Sequence, residues 1–154
     1  MPTNTELAWA AGFFDGEGCI HAHTDTRPGR GRRDTYYQLM VSVGQVHREP
    51  LEQLMAWFGG SIRKSREYVG NRWGNKYNTI FWQWNLSGIK SVEFLEAIAP
   101  FSRVKKSQVD IALQWPIQPV KFTAINDDDY NLQATICNGL QQIKQANLNN
   151  SLQP

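Results

Sequence analysis

The run Asp15-Gly16-Glu17-Gly18 sets two carboxylates two positions apart, each followed by glycine. It closes the stretch Leu7-Ala8-Trp9-Ala10-Ala11-Gly12-Phe13-Phe14, which reads as a helix opening on the capping-box spacing of Thr3 and Glu6. The predicted helix covers about residues 4 to 14 and is stopped by the glycines of the acidic run. Its end presents unpaired carbonyls and a negative dipole pole beside both acids. No Lys or Arg occurs in residues 1–26 to neutralise them. Hard oxygen donors without His or Cys suit Mg²⁺ or Ca²⁺. Taken alone, the tetrapeptide reads as a plain turn, because Asp-Gly followed by a second Gly is a common way out of a helix into a hairpin.

The preceding helix shifts that balance. Ala8, Gly12 and Gly16 lie four apart, so one of its faces is nearly bare of side chains. Such spacing lets two helix backbones approach closely. If the same helix of a second copy packs there, both acidic ends meet on the two-fold axis as a symmetric pair of carboxylate–metal sites.

The elements that must position these acids follow from periodicity. Cys19 to Thr24 alternates, with Ile20, Ala22 and Thr24 on one face and His21, His23 and Asp25 on the other. Residues 27–33 read as a basic loop. Tyr36 to Val46 alternates again, Leu39, Val41 and Val43 opposing Gln38, Met40 and Ser42. Pro50 suits a first helical position, and Leu51, Leu54, Met55 and Phe58 follow at helical spacing until Gly59-Gly60. Strands are predicted over 61–68 and 77–86, joined by a loop over 69–75. Helices are predicted over about 88–99, 104–114 and 129–147. The order is αββαββααα, an α+β sheet with helices on one face and a polar, basic face left over.

The 154 residues fit one domain with a substantial core, 41% of them being hydrophobic. Two cysteines make no disulfide scaffold, and no run of apolar residues is long enough to span a membrane. A soluble intracellular protein is expected. The net charge of +2 is unevenly spread, since fourteen of the sixteen basic residues fall in residues 27–106 against six acids. That segment has the footprint of a polyanion-binding surface, although a solvated basic face fits the charge alone equally well.

Leu7 to Gly18, followed by Cys19-Ile20, resembles the signature of the LAGLIDADG homing endonucleases. The αββαββα order, Val43-Gly44-Gln45 and the Pro-Phe-x-x-x-Lys-Lys segment at Pro100 to Lys106 extend the likeness over roughly residues 5–115. The remainder, about 116–154, is then a C-terminal helical extension of the same domain. A single motif implies the homodimeric type, whose fold is a four-stranded antiparallel saddle sheet.

The resemblance implies that Glu17 binds the catalytic metal with help from the Gly16 carbonyl. It gives Asp15 a more structural role around the helix end, at the edge of the metal site and the dimer contact. That contact would be formed with Ala8, Ala11 and Gly12. Gln45 and Lys105 match the catalytic periphery, positioning water and stabilising charge on the scissile phosphate. The peripheral Arg of the family has no clean counterpart here; Arg48 or His47 stands in for it. Mg²⁺ is the implied metal, with Mn²⁺ substituting and Ca²⁺ binding without cleavage.

The implied partners are double-stranded DNA and a second copy of the chain, with no membrane and no small-molecule substrate. Major-groove contacts are expected from His21, His23, Asp25 and Arg27, from Tyr36, Gln38, Met40 and Ser42, and from Thr79, Phe81, Gln83 and Asn85. On the third strand Arg63 and Ser65 face the groove, or Lys64 and Arg66 if the register slips by one. Arg30, Arg32 and Arg33 read as phosphate contacts. His21 and His23 have no third ligand nearby and read as surface or DNA-facing residues. Two rival readings are a relative that has lost cleavage, acting as an RNA maturase or DNA-binding module, and a single-strand binder stacking bases on Trp73, Tyr77 and Phe81.

Overall fold

A computed structural model describes residues 1–26, 35–72, 75–117 and 125–151. Along the chain lie α1 (Asn4–Glu17), β1 (Gly18–Thr26), β2 (Thr35–Gln45), α2 (Glu49–Phe58), β3 (Ser61–Arg72), β4 (Asn75–Ser87), α3 (Ile89–Ile98), α4 (Lys106–Ala112) and α5 (Asp127–Ser151). This is the predicted order. The strands form one antiparallel sheet in the order β1-β2-β4-β3, so two hairpins meet through their second strands.

Alternation decides the two faces of this sheet. Ile20, Leu39, Val41, Val43, Trp84 and Leu86 point to one side and are buried there by Ala10, Ala11 and Phe14 of α1, Leu51 and Leu54 of α2, and Leu95 and Ile98 of α3. Phe94 is the hub, meeting Phe14, Phe58 and Trp84 edge-on at centroid distances of 5.1, 4.9 and 5.3 Å. Among the described residues, the other side of the sheet carries none of these core helix side chains and is the open face. From the C-terminal helix, Ile136 and Leu140 join the same core and Tyr130 packs on Tyr37.

Several boundaries differ from expectation, each for a local reason. α1 does not stop at Phe14; it runs through Gly16 to Glu17 and passes straight into β1. A helical glycine costs only about 1 kcal/mol, and the hydrogen bonds of Asp15 described below hold that last turn. β3 and β4 replace the expected 69–75 loop, their ladder continuing through Val69↔Asn78 to Arg72↔Asn75. Trp73 lies outside the described residues. α4 begins two residues later than expected because residues 102–105 are drawn to Asp15. α5 begins two residues early, where Asn126 accepts from the Asp129 amide at 2.7 Å and caps it.

Candidate functional site

The capping box at the start of α1 forms as expected, with Glu6 accepting from the Thr3 amide at 2.7 Å and Thr3 accepting from the Glu6 amide at 3.4 Å. Ala10, Ala11 and Phe14 turn inward, while Ala8, Gly12 and Gly16 are exposed. A Cβ on Gly12 or Gly16 would meet nothing within 4 Å. The bare stripe is therefore a surface feature of this chain. Ala11 is not part of it: fully buried in the core, it cannot serve the dimer contact assigned to it. At Gly18 any side chain would collide with the ring and carbonyl of Phe14, so glycine is what lets helix pass into strand without a loop. Glu17 is thereby held at the last helical position, its side chain exposed.

Asp15 behaves differently from its neighbour. It is only 7% exposed. Its Oδ1 accepts from Ser102 Oγ at 2.7 Å and the Lys105 amide at 3.1 Å, while Oδ2 accepts from the amides of Arg103 at 2.6 Å and Val104 at 3.0 Å. Burial alone would raise its pKa, but these donors outweigh it and hold the carboxyl below its ordinary value. Both oxygens are thus spent inside the chain, which replaces the expected places of Asp15 at the metal and the dimer contact with that of a clamp. The clamp delivers Lys105, whose ammonium donates to the Asp15 carbonyl at the helix end. Burial lowers the Lys105 pKa, and the negative charges of Asp15, Cys19 and Glu17 offset this only in part.

A residue that the sequence reading passed over completes this corner. Lys144, from α5, donates to Cys19 Sγ at 3.1 Å, and His21 Nδ1 lies 3.9 Å from the same sulfur. The Cys19 thiol is lowered to about 7, first by the His21 hydrogen bond, against burial, and then by Lys144. Nothing in the local sequence marks Lys144, which meets Cys19 across 125 positions.

Gln45 ends β2 opposite Trp82, two residues past the Gly18↔Val43 pair that opens β1. Its Oε1 accepts from the Val46 amide at 2.8 Å, leaving the side-chain amide to donate. Arg48 is engaged elsewhere, ion-paired with Glu52 at 2.8 Å and lying over the Trp82 ring at 4.7 Å. The structure thus groups Glu17, Asp15, Lys105 and Cys19 at one helix end, and Gln45 and Arg48 around Trp82.

On the open face, Cys19, His21, His23 and Asp25 pair with Ser42, Met40, Gln38 and Tyr36. Asn85 and Gln83 of β4 continue the same face beyond Ser42 and Gly44, followed by Phe81 and Thr79. Ser42 is 5% exposed and contributes little surface. Arg63 lies opposite Gln83 and Arg66 opposite Phe81, with a register shift between Lys64 and Arg66. The open face therefore takes Arg63 from one expected register and Arg66 from the other, and Ser65, the extra residue between them, borders the same face. Arg27, Arg30, Arg32 and Arg33 lie outside the described residues.

Among the described residues no three His, Cys, Asp or Glu side chains gather as a metal-binding group. One exposed carboxylate beside a helix-end carbonyl is nevertheless a fitting donor set for Mg²⁺, which is commonly held by one or two carboxylates together with substrate phosphates and water. Among the described residues, no helix is long and apolar enough to cross a membrane.

No protein-family model and no curated protein matches the chain. Solved structures do. The homing endonuclease I-CvuI, in complex with its target in the presence of Ca, superposes with a TM-score of 0.66 at 21% identity, covering 90% of this chain and 81% of that one. The archaeal intron-encoded homing endonuclease I-Vdi141I, complexed with DNA, gives 0.65 at 18% identity over 90% and 84%. The LAGLIDADG homing endonuclease I-LtrWI, bound to target DNA, gives 0.51 at 16% identity, over 90% of this chain but 45% of that one. The chain has the fold of the LAGLIDADG homing endonucleases.

Proposed function

We propose that the chain is a site-specific DNA endonuclease that works as a homodimer with a divalent metal. The observation that carries this reading is the corner at the end of α1. There an exposed Glu17 stands beside a Lys105 clamped by Asp15, next to an open sheet face. The fold it shares with DNA-bound endonucleases supports the reading, and so does the match to slightly under half of I-LtrWI, which two copies of this chain would equal in extent. In the dimer the two α1 helices pack through Ala8, Gly12 and Gly16, bringing both Glu17 side chains together. The two sheets then read a long, roughly palindromic duplex through its major groove.

Glu17 and the Gly16 carbonyl would hold Mg²⁺, with Mn²⁺ as a substitute and Ca²⁺ as an ion that binds without supporting cleavage. When bound, the metal supplies Lewis-acid activation of water and stabilisation of the departing 3′ oxygen. The Lys105 ammonium faces the charge that develops on the scissile phosphate. Asp15 fixes the backbone that carries Lys105, and the free amide N–H groups of Gln45 orient the attacking water. Arg48 joins them by leaving Glu52 when DNA arrives. Both strands are cut across the central minor groove, leaving 3′ overhangs.

The test is incubation of the chain and Mg²⁺ with a library of randomised duplexes, followed by sequencing of the ends. Recovery of one pseudo-palindromic site with 3′ overhangs is expected. An uncut library, or cuts without sequence preference, would contradict the reading.

A further inference from the structure

The open face changes character on its β3–β4 side. The register shift between Lys64 and Arg66 leaves Ser65 as the extra residue of a β-bulge. Without the bulge, Arg63 and Arg66 would point to opposite faces; with it, both stand on the open one. Tyr68 follows opposite Thr79 and is 50% exposed, its ring meeting Phe81 edge-on at 5.6 Å. Across Gln83 lies Gly44, which brings no side chain. The result is a notch of about 360 Å³ bordered by Phe81, Tyr68, Gln83, Arg66 and Ser65 itself. The Gln83 Oε1 accepts from Arg63 Nη2 at 3.3 Å, so its amide N–H groups remain to donate outward.

We propose that this notch receives the C5-methyl edge of a thymine in the major groove, against Phe81 and Tyr68, while Arg66 pairs with a neighbouring guanine or phosphate. The inference rests on the open face being the DNA-binding surface. Thymine is the base that shows a methyl group in that groove. Two aromatic rings left at the surface and flanked by cations match an apolar spot on an anionic partner. The edge-on meeting of the rings takes up a face of one of them, which favours a methyl contact over a single-strand platform.

Duplexes are selected by binding from a randomised library in Ca²⁺, and each fixed thymine is then replaced by deoxyuridine. The expected result is one thymine per half-site whose replacement weakens binding about fourfold, the worth of one buried methyl group. Phe81→Ala should erase the difference between thymine and uracil at that position alone, and Tyr68→Ala serves if Phe81→Ala does not fold. Equal affinity after every replacement, a selected site without fixed thymine, or a difference that survives in a folded aromatic variant would overturn the proposal while leaving DNA binding intact. Failure to select any duplex would overturn the DNA-binding reading itself.

Discussion

The two αββ units solve the same problem in different ways. Each helix ends on carbonyls that have no partner in the next turn. At the end of α2 the Gly59 carbonyl accepts from Trp84 Nε1 at 2.8 Å, a fully buried indole that also packs on Phe94. At the end of α1 the Asp15 carbonyl accepts instead from the ammonium of Lys105, a partly exposed cation. The outward faces differ too. α2 shows solvent Glu49, Glu52 and Gln53, whereas α1 shows Ala8, Trp9, Gly12 and Gly16. One unit is finished as structure. The other is left with a cation, a carboxylate and a bare helix face, which is why the chemistry is assigned to it.

Substitutions that treat the two units alike should separate them. Asp15→Ala removes the acceptor of four donors and strands the buried Ser102 hydroxyl and three part-buried amides. It should cost about 3 kcal/mol or more in urea unfolding. In the second unit Gly60, at φ +89°, leaves no room for a Cβ beside the Asn85 carbonyl, so Gly60→Ala should cost about 2 kcal/mol by the same measurement. Thr3→Ala breaks the capping box of α1 and should cost about 1 kcal/mol. Arg48→Ala, at the start of α2 where no side chain caps the helix, removes an exposed ion pair and the contact with the Trp82 ring and should cost about 0.5–1 kcal/mol. Gly12→Ala should go the other way, stabilising the isolated chain by about 0.5–1 kcal/mol because its Cβ meets open space. The same change should weaken self-association in sedimentation equilibrium. If it strengthened both, α1 would not be the dimer face.

The order of elements and the buried sides of β1, β2 and β4 were legible because alternation and helical spacing are local signals. Glu17 and Lys105 were legible as a pair only through the family resemblance. Asp15 was expected in a structural role at the helix end, but its burial was not read, although a signal was present: it falls four residues after the buried Ala11 and next to the buried Phe14, so helical periodicity carries it inside. The Ser65 bulge was not legible. It depends on how β3 pairs with β4, and alternation within one strand carries no information about an extra residue in it. Lys144 was invisible for a related reason: its partner Cys19 is brought to it by the packing of α5 against β1, far along the chain.

The central claim is that Glu17 is the chemical residue of this corner and Asp15 its scaffold. The direct measurement is the single-turnover cleavage rate of Glu17→Gln on the duplex recovered with the parent chain, in Mg²⁺, alongside its DNA affinity and melting temperature. The account predicts a loss of about 10³-fold in rate, with affinity and melting temperature unchanged. A Glu17→Gln chain that cuts as fast as the parent would contradict it.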